Sequence, residues 1–303
     1  MPDFQKGIRL FFSDLMSFSR IAILGPGLLG GSVGLAAKAA GYEVILWGRN
    51  PERVEATRAL GLEATTGLSS AVEKADLIIL AVPVGVMGGL LDSLKADLKD
   101  GALVTDVGSV KGLPHEVANQ HEIPFIGSHP MAGSEQTGIE AARADLFHGA
   151  ACALTNDQER TKEELQAVEA FWRELGCTTT VMNSEDHDRA VARISHLPHA
   201  MAVATAGAAL RFPGDESLAA GGFRDTTRVA SGDPAMWAEI MVENRAAVTA
   251  ALEDAQKEIR EMLDHLAKPD KKGLQSYLAE VKARKEHPSE NQTVRPPKPG
   301  RQS

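Results

Sequence analysis

A chain of 303 residues, 43% of them hydrophobic, is long enough for a sizeable core and for two domains. Its net charge of −9 gives no electrostatic footprint for nucleic acid or an anionic membrane, although local cations can still meet a small anionic substrate. The two cysteines, Cys152 and Cys177, sit in apolar or Thr-rich segments without a partner motif. They read as reduced packing residues, and no metal site is expected.

Residues 1–18 form an N-terminal extension with no apolar run of signal-peptide length. Met16 opens "MSFSRIAILGPG", a natural lead-in to a first strand, and is the expected translation start. From about residue 20, short apolar strands alternate with helix-period segments: "IAIL" then "LLGGSVGLAAKAA", "EVILW" then "PERVEATRAL", "DLIILAV" then "GVMGGLLDSLKADL", "ALVTDV" then "VKGLPHEVANQ". "PFIGS", "ACALT" and "TTTVM" continue the strands, with the helix "TKEELQAVEAFWREL" between the last two. Strands apolar on both faces belong to a sheet covered on both sides. The expectation is an α/β fold, a doubly wound Rossmann-type domain over residues 19–183. The longest apolar stretch, "LIILAVPVGVMGGLL", is broken by Pro83 and three glycines and does not read as a membrane span.

After residue 184 the strand signal stops. "DHDRAVARISHLPHAMAVATAGAAL" reads as one long helix kinked at Pro198, and "PAMWAEIMVENRAAVTAALEDAQKEIREMLDHLA" as another. An all-α domain is expected over residues 184–267. Residues 268–303 are polar and Pro-rich, and an irregular tail is expected there.

The first strand ends in "GPGLLGGS", placing Gly25, Gly27 and Gly30 in G-x-G-x-x-G spacing at the start of a helix. In a βαβ unit this is a dinucleotide-binding turn: Gly25 permits the turn, Gly27 lets the backbone approach a pyrophosphate, and Gly30 lets helix and strand pack closely. The amides of Leu28, Leu29 and Gly30 would face the phosphates. The second strand ends "WGRN", so Gly48 and Arg49 stand where an NAD-binding fold carries the acid that holds the ribose 2′-hydroxyl. This favours NADP over NAD, with Arg49 pairing the 2′-phosphate, and predicts that an Asp at position 48 would shift preference toward NAD.

Ligands in this fold bind beyond the carboxyl ends of the strands. "AVP", with Val82 and Pro83, "TDVGSVK", with Ser109, and "GSHPMAGSE", with His129, therefore project into one crevice. An imidazole there suits a general base at neutral pH. A single histidine is nevertheless more often structural, and the residues alone leave both readings open.

"GPGLLGGS", "TDVGSVK", "GSHPMAGSE", "ISHLPHAMA" and "GGFRDTTRVASGDPAMW" occur in this order. Together they resemble the prephenate/arogenate dehydrogenase family of tyrosine biosynthesis, over about residues 20 to 265. The resemblance implies a nicotinamide-binding domain followed by a helical dimerisation domain, and hence a homodimer. It implies oxidation of the ring hydroxyl of prephenate or arogenate, with decarboxylation and aromatisation. His129 is then the implied acceptor of the hydroxyl proton, and Ser109 binds the hydroxyl or orients His129. Glu135, His196 and His199 face the substrate, Arg228 anchors a carboxylate, and Trp237 lines the pocket. Asp106 and Lys111 are read as possible structural members of their loop. Relatives often carry a mutase segment or a regulatory C-terminal domain, and neither is expected here.

Two alternatives compete. A β-hydroxyacid dehydrogenase-like enzyme would need a catalytic lysine in the helical part, where no Gly-rich, lysine-bearing helix start is found. A non-catalytic dinucleotide sensor would have no need of a base paired with an anion clamp. A cytoplasmic location is the expectation, with no nucleic-acid or membrane partner.

Overall fold

The computed structural model describes residues 18–133 and 136–287. Five parallel strands form the main sheet: β1 (Arg20–Leu24), β2 (Glu43–Trp47), β3 (Glu63–Thr65), β4 (Leu77–Leu80) and β5 (Leu103–Asp106), in the order β3-β2-β1-β4-β5. Side chains alternate across a strand. Ile21 and Ile23 of β1 accordingly enter one apolar layer, and Ala22 and Leu24 the other. Helices cover both faces: α1 (Leu28–Ala39), α2 (Pro51–Ala59), α3 (Leu68–Val72), α4 (Met87–Leu94) and α5 (Gly112–Gln120). The strand order reverses between β1 and β4, which opens a crevice at their carboxyl ends.

A second, three-stranded sheet comprises β6 (Gly127–Pro130), β7 (Ala151–Thr155) and β8 (Thr178–Met182). β6 runs antiparallel to β7, and β7 parallel to β8. A parallel bridge, Val104↔Phe125, joins β6's lead-in to β5. This bridge sends the chain after Phe125 past the carboxyl end of β5. Helix α6 (Lys162–Glu174) connects β7 to β8 and starts with a capping box between Thr161 and Glu164.

The helical part departs from the expected pair of long helices. Helix α7 (Ser184–Val191) gives way to a π-helical turn at Ala192–His196 and then to α8 (Leu197–Ala209). Pro198 lacks an N–H and sits in the first turn of α8, where none is needed. The wide turn therefore replaces the expected kink. After α9 (Gly221–Thr227), the second expected helix is broken into α10 (Pro234–Glu243) and α11 (Arg245–Ala267). The break falls at Asn244, whose side chain is engaged elsewhere.

Along the sequence, the chain forms two compact units that meet between Val248 and Thr249. In the second unit, α12 (Lys271–Glu286) stands where an irregular tail was expected. Tyr277 Oη donates to Glu258 Oε2 of α11 at 2.7 Å, and Asp270 caps the start of α12. The expected start at Met16, most of the N-terminal extension and the tail beyond His287 lie outside the described residues.

Candidate active site

The glycine turn fits a dinucleotide. Gly25 has φ +118°, and a side chain on it would run into the Ala81 carbonyl. A Cβ on Gly27 meets nothing within 4 Å, so this face of the turn is open. Gly27 caps α1 without a side-chain hydrogen bond, leaving the first amides of the helix to a ligand phosphate. Val82, half-buried, borders the same turn, and Pro83 is exposed beside it.

At the end of β2, Arg49 is exposed while Gly48 is buried. The expectation that an Asp at position 48 would simply favour NAD needs correction. An ideal Cβ there lies 2.7 Å from Pro26 Cγ and 3.0 Å from Pro26 Cδ, so the position has no room for a side chain.

His129 lies within strand β6, opposite Ala153, rather than in a loop after it. Its neighbours are fixed by a buried polar network. Asp106 Oδ1 accepts from the Ser128 amide at 3.0 Å, and Oδ2 accepts from the Gly108 amide at 2.9 Å and from Lys111 Nζ. The Asp106 and Lys111 side chains are both fully buried. The Ser128 hydroxyl accepts from Trp172 Nε1 at 2.9 Å and shares a 2.7 Å hydrogen bond with Thr105 Oγ1. The peptide carrying His129 thus has little freedom to move.

The imidazole is the first member of a chain that reaches into α7. His129 Nδ1 is 2.9 Å from His187 Nε2, and His187 Nδ1 is 2.8 Å from Asp188 Oδ1. The Asp188 carboxylate also accepts from the amides of Lys111 and Gly112, each at 2.8 Å. Burial alone would raise the Asp188 pKa, but the hydrogen bonds from His187 and these two amides outweigh it and hold the group below its ordinary value. An ionised Asp188 needs a donor at His187 Nδ1. With its Nδ1 donating to Asp188, His187 is left to accept at Nε2, and His129 donates from Nδ1. The tautomer assigned by this network leaves a lone pair on His129 Nε2. Burial drives the His129 pKa well below 6.5, with Lys111, His187 and His196 adding to the effect. The His129 ring is therefore neutral at pH 7.

His196 and His199 flank Trp237. The His199 ring stacks on the indole with centroids 3.6 Å apart and an interplanar angle of 9°, while His196 meets it edge-on at 6.2 Å. A side chain on Gly232 would press into the indole nitrogen, so this glycine admits the stack. Burial lowers the His196 pKa to about 4, against the opposing pull of Asp188. Burial also lowers that of His199, offset in part by its hydrogen bond to the Val229 backbone. Asn244 Nδ2 donates to the Asp188 carbonyl at 2.8 Å and lies 3.3 Å from His196 Nδ1. The residue that breaks the predicted helix thereby ties His196 to the chain behind His129.

Ser109 lies half-buried in the loop after β5, and among the described residues no hydrogen bond joins it to His129. Arg228 is in a 3-10 turn at Arg228–Ser231, exposed and with a partner of its own. Glu135 lies outside the described residues. Sequence reasoning missed His187, Asp188 and Asn244. It also missed Glu239, whose Oε1 accepts from the Gly85 amide at 3.3 Å in the loop after β4.

Comparison with known proteins agrees with this architecture. The model for the nucleotide-binding domain of prephenate dehydrogenase matches residues 33–181, and that for its dimerization domain matches residues 183–280. A prephenate dehydrogenase of Lactococcus lactis is 34% identical over 274 residues, covering 87% of this chain and 75% of the relative. A cyclohexadienyl dehydrogenase of Zymomonas mobilis is 32% identical over 277 residues, covering 87% and 94%. The crystal structure of prephenate dehydrogenase from A. aeolicus, in complex with hydroxyphenyl propionate and NAD+, superposes with a TM-score of 0.83 at 31% identity, covering 90% of this chain and 99% of that one. The Synechocystis arogenate dehydrogenase structure gives 0.79 at 31% identity, covering 88% and 99%. The chain belongs to the prephenate dehydrogenase family and is a nicotinamide-linked oxidoreductase of tyrosine biosynthesis.

Proposed function

We propose that this chain oxidises the ring hydroxyl of prephenate or arogenate, with loss of the ring carboxylate as carbon dioxide and aromatisation, and that NADP is the preferred acceptor. The observation that carries this reading is the His129–His187–Asp188 hydrogen-bonded chain, whose assigned tautomers leave Nε2 as the acceptor atom of His129. A dinucleotide held at the glycine turn of Gly25, Gly27 and Gly30 would supply a hydride acceptor for the carbinol carbon. His129 Nε2 takes the hydroxyl proton. The imidazolium so formed keeps its Nδ1 proton on His187, whose own Nδ1 proton is held by the Asp188 carboxylate, and the new charge is countered without any side chain moving. Asp106 and Lys111 hold the strand beneath. The bond to the departing carboxylate breaks toward the ring, its electron pair completes the aromatic system, and the resulting phenolate oxygen takes the proton back from His129 Nε2.

The remaining roles belong to the same proposal. Ser109 binds the substrate hydroxyl. Arg228 grips the side-chain carboxylate bidentately. His196, His199 and Trp237 wall the ring, and Glu135 faces the substrate. The ring carboxylate is left without a strong cation, because an ion pair there would stabilise the ground state. NADP is favoured because no carboxylate stands at Gly48 to repel a 2′-phosphate, and Arg49 follows it.

A homodimer is proposed through the helical part, which exposes Ile194, Phe212 and Leu218 at 70%, 65% and 84%. Isolated apolar residues are ordinary on a surface, but several large ones on neighbouring helical segments call for a cover. Light scattering should report twice the 32.3 kDa chain mass at micromolar concentration. A cytoplasmic location follows from the biosynthetic role.

Absorbance at 340 nm with each substrate and each dinucleotide tests the activity. Turnover with prephenate or arogenate, faster with NADP, is expected. No signal with either substrate would return the choice to a β-hydroxyacid dehydrogenase-like enzyme or a sensor. Arg49→Ala should raise the NADP Michaelis constant much more than that for NAD.

A further inference from the structure

We propose that Pro26 is a determinant of dinucleotide specificity. Its ring fills the space over Gly48 and bars any side chain, and so any carboxylate, from the end of β2. The inference rests on the reading of the glycine turn as the dinucleotide site. It adds that the missing acid is enforced from the turn itself, not only by the residue at position 48.

The geometry leaves the two residues no way to separate. The Gly25 amide donates to the Trp47 carbonyl at 2.9 Å, so the turn is tied to the last residue of β2. From the other side, the Gly48 amide donates to the Thr65 carbonyl at 3.2 Å, and Trp47 Nε1 to the Thr66 carbonyl at 3.0 Å. Pro26 and Gly48 are thus held face to face by backbone bonds on both flanks. A Cβ at position 48 would lie 2.7 Å from Pro26 Cγ, 3.0 Å from Cδ and 3.5 Å from Val54 Cγ2. The first of these is well inside van der Waals contact. A proline ring has little torsional freedom with which to yield, unlike a long side chain. Relief requires the glycine turn to move, and that turn is what meets the pyrophosphate. Position 48 and the phosphate site are coupled through Pro26, and a carboxylate placed there alone should damage binding of both dinucleotides.

The test is calorimetric titration of the substrate-free enzyme with NADP and with NAD. It compares wild type, Gly48→Asp, Pro26→Ala and the double variant Pro26→Ala/Gly48→Asp. Pro26→Ala removes the Cγ and Cδ atoms that collide. Gly48→Asp alone should weaken both dinucleotides about tenfold or more. The double variant should recover at least about tenfold in NAD affinity over Gly48→Asp while NADP stays weak, a non-additivity that contact between the two sites predicts. Equal NAD affinity in the single and double variants would overturn the proposal. If Gly48→Asp folds poorly, Gly48→Ala brings the same collision. It should lose affinity alone and regain it with Pro26→Ala, and absence of that rescue would equally overturn the proposal. Wild type binding NAD more tightly than NADP would contradict the role given to Arg49, whereas the coupling of Pro26 to Gly48 is read from the single and double variants.

Discussion

His187 Nε2 lies 2.9 Å from His129 Nδ1, and the two rings meet nearly edge to face, with centroids 5.1 Å apart and planes inclined at 67°. Behind them, the Asp188 carboxylate is held by two backbone amides at the start of α5. The site is therefore built across the junction of β6 and α7, two elements far apart in sequence. In the proposed mechanism His187 acts on the substrate only through His129, as a positioning residue. Replacing it with Leu should lower kcat about 10- to 100-fold, with the substrate Michaelis constant little changed. His187→Gln, which can still accept from His129 Nδ1, should restore part of the loss. Equal kcat in the Leu and Gln variants would argue that His187 is only core packing.

The acid limb of activity should lie below the ordinary histidine range. The folded-state pKa of His129 is depressed, so the neutral base persists below pH 6.5 and is lost only as pH falls through that lower value. Stability has the same sign. His115, His196 and His199 are also depressed, so the unfolded chain binds more protons than the native one once pH drops below about 6.5. The melting temperature should fall between pH 7 and pH 5, and a flat profile there would contradict the buried neutral state of these rings.

Glu243 has the opposite sign. Burial, with Glu239 beside it, raises its pKa to about 7. Its contribution is complete below the unfolded value of 4.5 and is lost as pH rises through about 7. Glu243 is partly exposed, and solvent screening reduces the effect. Glu243→Gln should raise the melting temperature at pH 8 by about 2 °C and leave it unchanged at pH 4, on the scale of about 1 kcal/mol. Thermal scans at the two pH values decide it.

The fully buried Asp106–Lys111 pair should be costly to break. Lys111→Met leaves a carboxylate buried without its cation and should destabilise the protein by about 3–5 kcal/mol. Asp106→Asn/Lys111→Met removes both charges and should be less destabilised than Lys111→Met alone. Urea midpoints of the two variants provide the comparison, and the reverse order would contradict the assignment.

Gly232→Ala should push the Trp237 indole off its stack on His199. The substrate Michaelis constant should rise about tenfold, with dinucleotide affinity unchanged. An unaltered Michaelis constant would remove Trp237 from the substrate wall.

Much of the fold was legible because apolar periodicity reports burial directly. Four strands of the main sheet and the glycine turn carry that signal within a few residues, whereas β3, a three-residue edge strand, is too short to carry it. His129 was legible as a candidate because Pro130 and the strand end frame it. His187 and Asp188 were not. They read as two polar residues in the first turns of a helix, while the histidine that His187 meets stands 58 positions away and the amides that Asp188 holds stand 77 and 76 away. Asn244 was hidden for a related reason, since the partner of its side chain, the Asp188 carbonyl, stands 56 positions away. The failure at α12 has a different cause. Leu274, Tyr277, Leu278 and Val281 recur at helical spacing, a signal that overall polarity of the segment masked.

The most direct test of the central claim is kcat of His129→Asn, measured alongside NADP affinity by titration. Loss of the proton acceptor should lower kcat by about 10²–10⁴-fold on whichever substrate wild type uses. Dinucleotide affinity should stay within about twofold, because the glycine turn is untouched. A His129→Asn variant with near-wild-type kcat on both prephenate and arogenate would contradict the assignment of His129 as the base.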